Sequence, residues 1–165
     1  MCPAYPISVV IYISRKEHFN AAHKLYNPKW SEEKNQQIFG ECSNANWHGH
    51  NFELIVTVRG KPSEETGFII DLKELSKLIQ EEIIEQLDHK NLNLDVEFMK
   101  GKMATIEVLV QEIWNILAPA INQLSSNGEL FKLTLTETKS QFVEYCGNDR
   151  GYDTKSIGSG QDLDL

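Results

Sequence analysis

His48-Gly49-His50-Asn51-Phe52-Glu53-Leu54-Ile55-Val56-Thr57-Val58-Arg59-Gly60 decides how this chain is read. Apolar side chains recur at every second position from Phe52, which is the period of a β-strand. Residues two apart point the same way, so His48 and His50 project from the face that Phe52, Leu54, Val56 and Val58 continue. Two imidazoles at the mouth of an apolar face need a reason, because burying them without partners is costly. One reading is a pair of ordinary histidines at a strand end. The other is a divalent cation. His23 closes an earlier extended segment on its apolar side. A third imidazole there would leave zinc one ligand short of tetrahedral, with room for water or substrate.

Working outward, residues 7–23 read as a long strand in which Ile7, Val9, Ile11 and Ile13 share a face with Phe19, Ala21 and His23. Arg15 and Glu17 interrupt the apolar pattern, and a bulge is expected near them. Residues 24–47 read as a long polar loop, a length that points to function or disorder. Residues 68–70 suggest a short strand. Asp71 and Glu74 make a capping box, followed by a helical stripe of Leu72, Leu75, Ile79 and Ile83 running to about Leu87. Thr105 can cap a second helix with Ile106, Leu109, Val110, Ile113 and Leu117 inward, which Pro119 kinks or ends. Residues 130–138 and 142–146 read as a terminal hairpin.

The order is strand pair, two helices, strand pair. It predicts an α+β domain over residues 1–147, with a four-stranded antiparallel sheet and two helices on one face. Residues 148–165, rich in Gly, Ser and Asp, read as a disordered tail.

A formal charge of −8 and the lack of any basic run argue against nucleic acid and anionic membranes as partners. Cys2, Cys42 and Cys146 are an odd count at unrelated spacings, so no disulfide framework is implied. The apolar stretch 7–13 is too short to span a membrane, and Arg15 and Lys16 follow it rather than precede it, unlike a signal peptide. A soluble, cytoplasmic protein is expected.

Other residues carry two readings each. Cys42, six residues before His48, is a small buried hydrophobe or a thiolate acting as base or nucleophile. Asp88-His89 either terminates the first helix or forms a carboxylate-oriented imidazole for proton transfer. Glu137 is in line with Leu133 and Leu135; it either reaches water at the sheet edge or accepts a bidentate hydrogen bond from an amidine-like ring edge. Glu107 complements a helix dipole, and Thr105 caps it. His18, of opposite parity to His23, reads as a surface residue.

Several motifs in order carry a resemblance. They are Phe19-Asn20-Ala21-Ala22-His23, Phe39-Gly40-Glu41-Cys42, His48-Gly49-His50-Asn51, Leu87-Asp88-His89-Lys90-Asn91-Leu92, Thr105-Ile106-Glu107 and Glu137-Thr138. Over roughly residues 10–147 the chain resembles the 6-pyruvoyltetrahydropterin synthase family, in its eukaryotic branch. The resemblance implies the tunnelling fold, with two-helix, four-strand subunits in trimer barrels and two trimers stacked as a homohexamer. It implies zinc on His23, His48 and His50, Cys42 as base, and Asp88 with His89 as a proton relay. Glu137 would anchor the pterin ring, with Thr105 and Glu107 lining its pocket. Sites in the family lie between subunits, which would let Cys42 meet Asp88 and His89 of a neighbour. The implied substrate is 7,8-dihydroneopterin triphosphate and the implied product 6-pyruvoyltetrahydropterin, with magnesium accompanying the triphosphate.

Trp47, Val108 and Asn20 depart from the family pattern, which often has a small residue, asparagine and serine there. Ala45 stands where a parasite branch lacking this cysteine carries glutamate. A bacterial branch making carboxytetrahydropterin has its cysteine closer to the histidines, so the Cys42–His48 spacing favours the biopterin branch. The rival readings are a carboxytetrahydropterin-type synthase of the same family and a non-catalytic paralogue binding pterin or metal.

Overall fold

A computed structural model describes residues 10–147. The expected tail at 148–165 and the first residues of the N-terminal strand lie outside them. In chain order the elements are β1 (Ile11–His23), α1 (Glu32–Phe39), β2 (His48–Gly60), α2 (Leu72–Ile79), α3 (Glu85–Leu87), β3 (Lys90–Asn91), α4 (Ile106–Leu124), β4 (Gly128–Thr138) and β5 (Gln141–Tyr145).

The α+β class holds, but the sheet has five strands in the order β3-β1-β2-β4-β5 and is mixed. The additional strand, β3, lies parallel to β1 through Ala21–Lys90 and Ala22–Asn91; the other pairings are antiparallel. Two paired residues carry no readable period, which is why the sequence predicts four strands. Helix α2 packs over β1, α4 over β4 and β5, and the two helices touch.

Strand β1 pairs with β2 without a slip from Ile11–Gly60 to His23–His48, so the bulge expected near Arg15 and Glu17 is absent. The two charges stay in register because each is satisfied: Arg15 Nε donates to Glu17 Oε1 at 2.7 Å, and Ser76 Oγ of α2 donates to the same oxygen at 2.9 Å. Bulges occur instead on β4. One, opposite Thr57 and Val58, adds Phe131, so that Leu130 and Leu133 both reach the core.

Asp71 caps the helix that follows, its Oδ1 accepting from Lys73 N at 2.7 Å, but among the described residues no bond from Asp71 N to Glu74 completes the box. Leu72 is more exposed than the stripe predicts. Leu75, Ile79, Ile83 and Leu87 are buried at four-residue intervals, slower than the α-helical 3.6. The π turn Gln80–Ile84, between α2 and α3, absorbs that mismatch by widening one turn. Residues 68–70 form no strand. Phe68 O accepts from Ser63 N at 2.8 Å inside a turn, while Ile69 and Ile70 enter the core. Pro119 does not end α4; it sits on the exposed face, where water can satisfy the carbonyl one turn earlier. The polar segment 24–47 is also more ordered than expected, because it holds α1 and a 3₁₀ turn, Gly40–Ser43.

Phe19 and Phe52 stack at 4.9 Å and form the floor beneath the histidines. Among the described residues, no helix is long and apolar enough to cross a membrane.

At the opposite end of the sheet, Gly60 faces Gly128 across β2 and β4, and a Cβ on Gly60 would lie 1.9 Å from Asn127 O. Backbone cannot yield as a side chain can. Gly60→Ala is expected to destabilise the fold by about 1–3 kcal/mol, the usual range for overpacking, read as a lower thermal midpoint.

Candidate active site

The β1–β2 register sets His23 directly opposite His48 and Ala21 opposite His50, all above Phe19 and Phe52. The ring centroids lie 4.4 Å apart for His23–His48, 5.1 Å for His23–His50 and 5.0 Å for His48–His50. One nitrogen from each ring falls within 4.8 Å of the other two. His23 Nδ1 donates to Ala104 O at 2.8 Å, a tautomer that leaves Nε2 as the free lone pair. His23 Nε2 and His48 Nδ1 are buried without a hydrogen-bond partner. Burial holds all three histidines below their ordinary pKa, and each is pushed further down by a neighbouring ring: His50 acts on His23, His23 on His48, and His48 on His50. The Ala104 carbonyl and Glu137 partly oppose this at His23. Neutral imidazoles with orphaned inward nitrogens are what a divalent cation requires, so the residues fit a metal.

Glu137 joins this cluster. Its Oε1 lies 3.5 Å from His23 Nε2 and 3.7 Å from His50 Nε2, and its side chain is 15% exposed. The β4–β5 register passes from Thr136–Phe142 to Thr138–Gln141, so Glu137 occupies a bulge. Bulges re-aim side chains beside functional sites. Burial raises the Glu137 pKa, His23 opposes the rise, and Glu107 adds to it. Glu107 lies in the first turn of α4, which Thr105 caps by accepting from Val108 N at 3.4 Å.

Asp88-His89 both terminates a helix and pairs a carboxylate with an imidazole. Asp88 ends α3, and His89 follows in the left-handed region at φ 57°. His89 Nδ1 and Asp88 Oδ2 are 2.8 Å apart, an imidazole held by a carboxylate. The pair is tied to β1: Asn20 N donates to Asp88 Oδ1 at 2.8 Å, and His89 N donates to Asn20 O at 2.6 Å. That backbone donor holds the Asp88 carboxyl below its usual pKa, helped by His89 and opposed by the modest loss of water. The His89 side chain is 77% exposed. A cleft of about 480 Å³ is bordered by His50, His89, Asn20, Asn51 and Lys90.

Cys42 lies half-buried in the 3₁₀ turn, and its carbonyl accepts from Leu25 N at 2.9 Å, two residues beyond His23. Among the described residues, no hydrogen bond or ion pair joins Cys42 to Asp88 or His89 of the same chain. His18 is exposed on the other face of β1, as expected. The Ala104 carbonyl and the Asn20 amide are backbone partners that residue types could not reveal.

Three imidazoles held below their ordinary pKa on an α+β sheet, with the half-buried Glu137 carboxylate beside them, give this chain a site suited to a metal ion. The family model for 6-pyruvoyl tetrahydropterin synthase matches residues 12–148. The chain is 39% identical over 135 residues to the 6-pyruvoyl tetrahydrobiopterin synthase of Pongo abelii, covering 82% of this chain and 90% of that protein. It is 38% identical to the Homo sapiens protein of the same name, with the same coverage. The solved 6-pyruvoyl tetrahydropterin synthase of Caenorhabditis elegans superposes with a TM-score of 0.76 at 33% identity, covering 85% of this chain and 97% of that one. The chain belongs to the 6-pyruvoyl tetrahydropterin synthase family.

The lowered histidine pKas predict a pH dependence. The folded chain holds fewer protons than the unfolded chain as pH falls through about 6.5. With a chelator present, the denaturation midpoint is therefore expected to fall between pH 7 and pH 6. His48→Gln, which removes one of these groups, should flatten that slope.

Proposed function

We propose that the chain is a zinc-dependent lyase that converts 7,8-dihydroneopterin triphosphate into 6-pyruvoyltetrahydropterin and triphosphate. The observation that carries this is the convergence of His23 and His48, each with an orphaned buried nitrogen, with His50 and Glu137. Three imidazoles suit zinc and leave it a further coordination position. Bound there, zinc supplies Lewis acidity to the hydroxyls of the substrate side chain.

The remaining roles fall to the chain's own groups. The Cys42 thiolate removes a side-chain proton. His89, oriented through Nδ1 by Asp88, returns a proton to the ring. The Glu137 carboxylate accepts the paired N–H groups of the pterin edge, and its bulge and burial support that role. Thr105 and Glu107, at the start of α4, line the ring pocket. His89 is open to solvent and unconnected to Cys42 in its own chain, which supports a site completed between subunits of a homohexamer of two trimers. The functional unit is the single domain 1–147, working in the cytoplasm, with magnesium accompanying the triphosphate.

Zinc-loaded protein incubated with 7,8-dihydroneopterin triphosphate should release inorganic triphosphate and yield the pyruvoyl product on chromatography. Cys42→Ala should keep its zinc and lose about 10²-fold or more in turnover, the scale of a lost general base. His48→Ala should lose both metal and activity. Binding of the substrate without triphosphate release would make the protein a pterin binder instead.

A further inference from the structure

Strand β1 and strand β2 place the histidines, but the sheet does not place Cys42. The thiol lies on the excursion between those strands, in a segment whose side chains are mostly polar. Apart from the Trp30–Phe39 stack at 5.9 Å, polar contacts fix it. Four polar or charged residues are buried among the described residues: His23, Asn35, Ser43 and Thr57. His23 belongs to the triad, and Thr57 bonds Ser14 across the strands at 2.9 Å. The other two bracket Cys42.

Asn35, 1% exposed within α1, uses its whole amide. Its Oδ1 accepts from Asn27 N at 2.7 Å, and its Nδ2 donates to the carbonyls of Asn27 and Ser31 at 3.0 Å and of Trp30 at 3.4 Å. The turn 27–31 is thereby pinned to the helix. Ser43, next to Cys42, has one Oγ proton to donate, with Gly40 O at 2.7 Å and Gln36 Oε1 at 3.1 Å as its acceptors. Helix α1 runs directly into the 3₁₀ turn that carries the thiol, and Gly40 N donates to Gln36 O across the junction. The Leu25–Cys42 backbone bond ties that turn back to the end of β1. The path from Asn27 through Asn35, α1, Gln36 and Ser43 to Cys42 closes on Leu25. It adds hydrogen bonds to the Trp30–Phe39 stack in a segment where no apolar side chain is fully buried.

We propose that Asn35 and Ser43 are positioning residues for Cys42, holding its thiol at a fixed place relative to the histidine triad without touching substrate or metal. This rests on the reading of Cys42 as the base. A displacement of about 1 Å in a reacting group can cost about 10²-fold in rate, so a frame of this kind bears on turnover more than on binding.

The test uses the zinc-loaded full chain with Asn35→Leu, which keeps the bulk and removes the bonds, and Ser43→Ala. Cys42→Ala is measured alongside. Both frame variants are expected to keep wild-type zinc content and a KM within about threefold, while kcat falls about 10- to 100-fold. In a Cys2→Ser, Cys146→Ser background, the rate of Cys42 alkylation by iodoacetamide should change by about threefold or more. A merely structural role would lower the melting temperature but leave kcat per folded, zinc-loaded chain and the alkylation rate as they were. That result overturns the proposal, as does loss of zinc or of the fold in both variants. If Cys42→Ala still turns over, the base reading itself fails. If Cys42→Ala is inactive while both frame variants match wild type, only the positioning role fails.

Discussion

The site depends on an uninterrupted antiparallel register between β1 and β2. Side chains on a strand alternate, so a slip of one residue would send His48 and His50 to the opposite face from His23. The hydrophobic pattern prevents that slip. Phe19 against Phe52 and the buried Leu54, Val56 and Val58 admit one register, and the imidazoles inherit their positions from it. Gly49 belongs to the same constraint. A Cβ there would stand 3.0 Å from Ala21 O, so the residue between the two histidines keeps the strands at pairing distance.

The electrostatics of the site follow from the same burial. An apolar floor disfavours protonated imidazole and ionised carboxylate alike, so the triad is held neutral and Glu137 is pushed upward. The Ala104 carbonyl selects the His23 tautomer and belongs to the residue preceding the Thr105 cap. The start of α4 therefore does two things, orienting one histidine and bringing Glu107 into the field of Glu137. The core, the tautomer and the charge pattern are one arrangement seen at three scales.

Much of this was legible in the sequence because periodicity reports burial. The shared face of the histidine trio and the stripes of the two capped helices come from side chains that face the core. What escaped has no such signature. Helix α1 carries no apolar stripe; its one buried residue is Asn35, which reads as a loop residue until its partners are seen. Strand β3 is too short to show a period. The bulges at Phe131 and Glu137 leave composition unchanged while altering which way side chains point. The expected bulge in β1 failed for the converse reason: Arg15 and Glu17 break the apolar pattern, but Ser76 and their own ion pair let the pleat continue.

Backbone strain is also concentrated at the site. Among the described residues, the non-glycine residues at positive φ are Trp47 and His89, one preceding His48 and the other bonded to Asp88. A left-handed conformation costs an L-residue roughly 1–2 kcal/mol and is least expected for a bulky side chain. It persists only where surroundings over-determine it. Trp47 N donates to Asn44 O at 3.2 Å, and His89 N donates to Asn20 O at 2.6 Å, so each residue is fastened where it turns. The second bond is with the residue whose own amide holds Asp88, so the same edge of β1 bends the chain and orients the imidazole. The strand that orders His23 against His48 and His50 thus also sets the Asp88–His89 pair. Two side-chain clusters distant in sequence are fixed by one structural element.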